Sequence, residues 1–357
     1  MKDLNLFCPI NSTGYGITSL NIMKNLSEHF NISYFPIGAN IEVNSENDKN
    51  IVQISLKNSS KFDYDSPCLK IWHQHDLATR VGKGKYYVFP FFELDTFTDR
   101  ETHHLQFPDI IFTASKWGES ILRRNGISQP IYVVPLGVDT EIFKNPTKMK
   151  FNNKYVFFHI GKWELRKGQD FLLKAFDNAF HHDDDVELWM LPHNPFLSEQ
   201  ETKTWLDLVE NCKLKDKIKI FDKLPTQYHL AEFIYRADCG VFLSRAEGWN
   251  NEILEAMALN KPVITTFYSA HTEYCDDKNC LLVSVGETEP ANDNKWFFGH
   301  GKWAKLGQDQ MEQTINYMQF VYKNNIRSNE AGLETVKKYT WQNTAQIITD
   351  VIHTTHN

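Results

Sequence analysis

Short apolar runs alternate with stretches of helical period along most of this chain, and that alternation limits its fold more than any other feature. Leu4 to Pro9 is the first run, followed by NSTGYG and then by Ile17, Leu20, Met23, Leu26 and Phe30 at near-helical spacing. NISYFPI returns as a second strand, and further runs lie at Leu69 to Trp72, Tyr86 to Pro90, Ile110 to Thr113 and Ile131 to Val134. Helical segments such as SKWGESILRR at 115–124 stand between several of them. Alternation of this kind predicts a parallel sheet covered by helices. The stretch 141–154 is polar, carries Pro146 and reads as an interdomain linker. A second series opens at Tyr155: VFFHIG, a helix facing inward through Phe171, Leu172, Ala175, Phe176 and Ala179, then VELWML, IKIF, CGVFLS and PVITTF. A chain of 357 residues suits two such α/β domains. Residues 286–303, polar at first and then dense in aromatics and glycine, read as a long loop or insertion.

Composition narrows the function classes. Hydrophobic residues make up 41% and aromatic residues 13%, enough for two cores. A net charge of −7 gives no strong nucleic-acid signal, because phosphate binding leaves a basic stripe. Of the six cysteines, none forms a CxxC pair; Cys8 and Cys239 sit in apolar runs and read as buried thiols, which suits a reducing cytoplasm. The N-terminus is too short and polar for a secretory h-region. No stretch approaches the ~20 apolar residues of a membrane span.

Two motifs carry chemistry. In EGWNNEILEAMALNKPVITT (247–266), Asn251 to Leu259 forms a short helix between two strands, with Asn250 or Asn251 as its N-cap. Such a helix aims its N-terminus at the crevice beyond the strand ends, where free N–H groups favour phosphate. Glu247 at the strand end and Glu255 one turn inside bracket that position, suggesting a ligand with phosphate and polyol parts. In FFHIGKWELRKGQDFLLKAF (157–176), Lys162 and Lys167 flank a glycine turn at a strand–helix junction, where cations neutralise a diphosphate.

The pairing of GKWELRKG with EGWNNEILEAMA resembles the retaining nucleotide-sugar glycosyltransferases of the GT-B fold, family GT4 (glycosyl transferases group 1). FTASKWGESILRRNGI, VVPLGVDTEIF, LAEFIYRADCGVFLS and the C-terminal KYTWQNTAQ add to the likeness. The resemblance implies two Rossmann-like domains with parallel sheets facing across a cleft. An acceptor-side domain at 1–145 is expected, with a helix at 340–357 packing back on it, and a donor domain at 146–339. It implies a hexosyltransferase-like enzyme without cofactor or metal, taking a UDP- or GDP-sugar and a saccharide, lipid-linked or other hydroxyl acceptor. Carried onto this sequence, Lys162 and Lys167 contact the diphosphate, Glu255 holds the ribose and Glu247 faces the transferred sugar. Gly248, Asn250 and Asn251 line the donor, and Gly14 and Gly16 let the first domain's loop close on the phosphates. The chain departs from the family at Asn250, Asn251 and Glu252, which stand where Gly-Leu and proline are commoner; a carboxylate at 252 opposes a diphosphate slightly.

Other features bear on rival functions. TGYGITS is close to a dinucleotide fingerprint, but the second strand ends in PIGAN, without the acid that a ribose requires. His73 and His75 in IWHQHD share a face if extended, and His75 is the preferred sugar contact of the two. Glu93 is an acceptor-side candidate. Asp183 and Asp185 form a DxD in a polar turn, read as solvated, and the pairs His103-His104 and His181-His182 read as surface. Alternatives are a nucleotide-sugar epimerase or phosphorylase, a non-catalytic nucleotide-sugar binder and, lower, a DNA-base glycosyltransferase.

Overall fold

A computed structural model describes residues 2–144 and 153–355. Contacts divide the chain into two compact units, Met1–Gly137 with Tyr339–Asn357, and Val138–Lys338. Most of the linker expected at 141–154 falls on residues 145–152, outside the described residues.

The first unit runs β1 (Lys2–Cys8), α1 (Gly14–Leu26), β2 (Phe30–Pro36), α2 (Glu46–Asn58), β3 (Cys68–Lys70), β4 (Tyr86–Val88), α3 (Asp99–Leu105), β5 (Ile110–Thr113), α4 (Lys116–Arg124) and β6 (Ile131–Val133). Its six strands lie in the order β2-β1-β3-β4-β5-β6, all parallel. The central strands β3, β4 and β5 are buried throughout, which explains their near-continuous apolar sequence. Local signals start the helices: Ser115 caps α4 by accepting from the Gly118 N–H, and Thr98 with Glu101 forms a capping box on α3.

The second unit runs β7 (Tyr155–Ile160), α5 (Gln169–Ala179), β8 (Val186–Leu191), α6 (Glu199–Glu210), β9 (Ile218–Ile220), α7 (Gln227–Arg236), β10 (Cys239–Phe242), α8 (Asn251–Ala258), β11 (Val263–Phe267), β12 (Leu281–Ser284), β13 (Thr288–Asn292), β14 (Phe298–Ala304), α9 (Gln308–Lys323) and α10 (Glu330–Val336). The strand order is β12-β11-β10-β7-β8-β9, again parallel, with β13 and β14 as a separate antiparallel pair. The segment read as a loop at 286–303 is therefore largely a hairpin. Its base is welded to the sheet by the Ala304 N–H to Arg245 carbonyl bond and by buried Trp303. The last helix, α11 (Trp341–Thr355), packs on α1 in the first unit. No helix among the described residues is long and apolar enough to cross a membrane.

Each sheet has one point where the chain reverses its direction of winding: between β1 and β3 in the first, and between β7 and β10 in the second. Loops leaving the strand C-termini at such a point form the ligand crevice of open α/β sheets.

Candidate functional site

In the second unit, the loops after β7 and β10 meet at the reversal point. The 161–169 turn is pinned from inside by Gln169, whose side-chain amide donates to the carbonyls of Gly161 (2.9 Å) and Lys162 (2.8 Å). Gly168, at φ +75°, passes so close to the end of β10 that a Cβ would stand 2.1 Å from the Leu243 carbonyl oxygen. Only glycine allows that approach and that dihedral together. The Arg245 N–H donates to the Arg166 carbonyl at 2.6 Å, and the Arg245 guanidinium grips both oxygens of Asp170 at 2.9 and 3.0 Å.

This stitching brings Arg166 and Lys167 against Glu247, which is 5% exposed. Lys167 Nζ lies 2.7 Å from Glu247 Oε1, and the Ser244 hydroxyl donates to the same oxygen at 2.8 Å. Arg166 Nη1 donates to Glu247 Oε2 and to the Ala246 carbonyl, both at 2.8 Å, while Nη2 donates to Glu164 Oε2 at 2.9 Å. Burial pushes the Glu247 carboxyl up, but Arg166, Lys167 and His271 outweigh it and hold the group well below the usual carboxylate range. Burial pulls the Lys167 ammonium down, and Glu247 and then Glu252 more than reverse that. Both groups are therefore charged at neutral pH.

The loop 248–250 and α8 complete the site. Asn250 stands at the N-cap position with φ +88°, but its side chain does not cap the helix. It donates instead from Nδ2 to His271 Nε2 at 3.0 Å, since His271 Nδ1 is bound to the Thr266 carbonyl at 2.9 Å and carries the ring proton. The Tyr274 hydroxyl lies 2.9 Å from the carbonyls of Trp249 and Asn250 and fixes this backbone. Helix α8 is buried nearly all round, and Glu255 is buried with it at 7% exposure. Burial, then Glu252, pushes the Glu255 carboxyl well above its ordinary range. Glu255 Oε2, Asn250 Oδ1 and Asn251 Oδ1 are buried acceptors that receive no hydrogen bond. So is His159 Nε2, at the end of β7, because His159 Nδ1 is bound to the Val241 carbonyl at 2.8 Å; burial holds this imidazole down to about 4, hence neutral. Unpaired buried acceptors are costly and rare. Four of them beside two buried cations suit a ligand rich in hydroxyls and negative charge.

Lys162 is half-buried, with its ammonium 5.2 Å from the centre of the Phe196 ring, and Gly248 is partly exposed between Glu247 and Trp249. The remaining candidates belong to the first unit, at its own reversal point. Gly16 packs where a Cβ would stand 2.3 Å from the Asn11 backbone, whereas Gly14 faces open space. Tyr15 between them accepts from the Phe91 N–H at 2.9 Å and packs 4.5 Å from the His73 ring, and the charge of Glu93 acts on its phenol. His75 is exposed and stacks on His73 with ring centres 5.1 Å apart. Asp183 and Asp185 are exposed in the turn before β8, at the strand end opposite to Lys162. Among the described residues no group of three His, Cys, Asp or Glu is placed to hold a metal ion.

Residues 154–293, which contain every second-unit residue of this site, match the family model described as "Glycosyl transferases group 1". The second unit carries a group 1 glycosyl transferase domain. An uncharacterized glycosyltransferase of Methanocaldococcus jannaschii is 31% identical over 117 residues, 32% of this chain and 27% of that relative's length. The match thus spans about a quarter of the curated relative. Among solved structures, sucrose-phosphate synthase of Thermosynechococcus elongatus superposes with a TM-score of 0.74 at 14% identity, covering 99% of both chains. HepE of Anabaena, solved in complex with UDP, gives 0.71 at 14% identity over 99% of this chain and 100% of its own. At such identities the likeness is one of fold, and the fold is GT-B.

The group 1 domain holds residues that sequence reasoning passed over. Arg166 lies inside the quoted GKWELRKG and was hidden by the lysines around it. His159 reads as an apolar-strand residue until its ring is seen beside Gly161, where a Cβ would approach Nε2 to 3.3 Å. His271, Ser269 and Tyr274 lie past β11, and nothing local marks them as supports of the 247–250 loop.

Proposed function

We propose that the protein is a retaining, metal-independent GT4 glycosyltransferase that moves a sugar from a nucleoside-diphosphate sugar to a hydroxyl acceptor. The observation that carries this reading is the set of unpartnered buried acceptors, Glu255 Oε2, Asn250 Oδ1 and Asn251 Oδ1, at the start of α8 beside the Lys167–Glu247 pair. Ribose and hexose hydroxyls supply the missing donors, and a diphosphate supplies the anion that the lysines and the helix N-terminus attract. The UDP bound to HepE, a protein of the same fold, supports a uridine donor, with GDP the other choice.

In this reading Lys162 and Lys167 meet the diphosphate, Glu255 the ribose and Glu247 the transferred sugar, with Gly248, Asn250 and Asn251 along the donor. The first unit takes the acceptor, a saccharide or another hydroxyl compound, and contributes Gly14, Gly16 and His75. As the glycosidic bond breaks, positive charge grows on the sugar ring and negative charge on the leaving phosphate. Preorganised cations stabilise that phosphate, each worth roughly 3–4 kcal/mol in rate. The acceptor hydroxyl attacks from the face the diphosphate leaves and gives its proton to a leaving-phosphate oxygen, so the anomeric configuration is kept. No cofactor takes part, and the reaction belongs to the cytoplasm, where nucleotide sugars are held. The test is incubation with UDP- and GDP-sugars and an acceptor panel, with the product anomer read by proton NMR. A retained anomer is expected; an inverted product, or no consumption of any nucleotide sugar, contradicts the reading.

A further inference from the structure

Lys167 faces a conflict in this site. Its ammonium is spent on Glu247 at 2.7 Å, yet the proposed function needs it at the diphosphate. Were Lys167 the sole counter-charge of Glu247, moving it to a phosphate would strand a buried carboxylate next to an incoming anion. Arg166 removes that conflict. Its guanidinium is always protonated, its fork is rigid, and it is buried with the carboxylate. It binds Glu247 Oε2 while Lys167 binds Oε1, and it is also held by Glu164 and by the Ala246 carbonyl. The Arg166 backbone is itself fixed by the Arg245 N–H.

We propose that Arg166 is a positioning residue that holds Glu247 charged and aimed, so that Lys167 is released to the diphosphate when donor binds. Arg166 itself touches no substrate and acts through Glu247. The inference rests on the nucleotide-sugar reading of the site, and it concerns a residue that the lysine motif leaves out.

The test is calorimetric titration with UDP, and with GDP as second probe, of the wild type, Arg166→Gln, Glu247→Gln and the double variant. In Arg166→Gln, Lys167 is the close ion-pair partner left to Glu247, beside the neutral Ser244 hydroxyl, so the lysine stays on the carboxylate and diphosphate affinity falls about 10-fold or more, the worth of a charge-assisted hydrogen bond. Adding Glu247→Gln frees the lysine, and the double variant returns to within about 3-fold of the wild type. A merely structural arginine, or one that binds phosphate itself, gives no such rescue. The double variant carries the test even if the single one does not fold, because it removes one charge of each sign. Wild-type binding with an unchanged Arg166→Gln, or a double variant as weak as the single, overturns this inference alone. A wild type that binds neither diphosphate overturns the nucleotide reading, and this inference with it.

Discussion

Glu247→Gln keeps the shape of the buried side chain and removes its charge, so it isolates what the carboxylate does for the fold. Arg166 retains Glu164 at 2.9 Å after the change. The group left without its close partner is Lys167, buried with Glu252 as a more distant compensating charge. Removing one partner of a buried pair costs about 3–5 kcal/mol, and the help of Glu252 sets the expectation near the lower end, about 3 kcal/mol. For a unit of this size that is a fall in Tm of about 6–12 °C at pH 7, at roughly 2–4 °C per kcal/mol. The pH dependence has a definite sign. The folded carboxyl lies below its unfolded value, so its contribution is fully present above the unfolded pKa of about 4.3 and is lost as pH falls through the folded value. The charged and titratable groups around it are Glu164, Arg166 and Lys167 from the turn after β7, His159 at the end of β7, Glu252 from α8 and His271 after β11. The assay is thermal unfolding of both proteins from pH 7 downward. The gap between them narrows as pH falls below about 4, because the unfolded wild-type carboxyl then takes up a proton that the folded one does not. Equal Tm values at pH 7, or a gap that does not change with acid, refute the reasoning.

Gly168→Ala places a methyl against the Leu243 carbonyl at a left-handed φ and should lose at least about 2 kcal/mol, read by denaturant unfolding. Gly14→Ala meets nothing and should leave stability unchanged or up to about 1 kcal/mol higher. Glycosyl transfer is expected to survive exhaustive chelation with EDTA; a saturable requirement for Mg²⁺ or Mn²⁺ would return Asp183 and Asp185 to consideration.

Elements that carry their own local signal were legible in the sequence. Ile110–Thr113 is bounded as read, and the helix begun at Asn251 and five strands of the second sheet, from Tyr155 to Phe267, follow from apolar runs and polar punctuation; the edge strand Leu281–Ser284 was not read. The hairpin at 288–304 was not, because Gly299 and Gly301 adopt positive φ and Asn294 turns the chain, which breaks the alternation that marks a strand. Helix α2 has few buried apolar residues, only Val52 among its hydrophobics, so it shows no periodic stripe. At the site, the two glutamates and Lys167 announced themselves by spacing. The N-cap role of Asn250 did not hold, because a tertiary partner, His271, claimed the side chain. Arg166 and His159 gain their meaning only from the convergence of β7 and β10, a contact between residues some eighty positions apart that no local pattern records.

The central claim is that the start of α8 binds a nucleoside diphosphate through Glu255, and a titration of UDP and GDP into the wild type and Glu255→Ala tests it most directly. The account predicts saturable one-to-one binding of one diphosphate to the wild type. Removing the acceptor leaves ribose hydroxyls unpaired at a buried position, a loss of about 1–3 kcal/mol, so Kd rises about 5- to 150-fold in the variant. A wild type that binds neither diphosphate, or a Glu255→Ala protein that binds as tightly as the wild type, contradicts it.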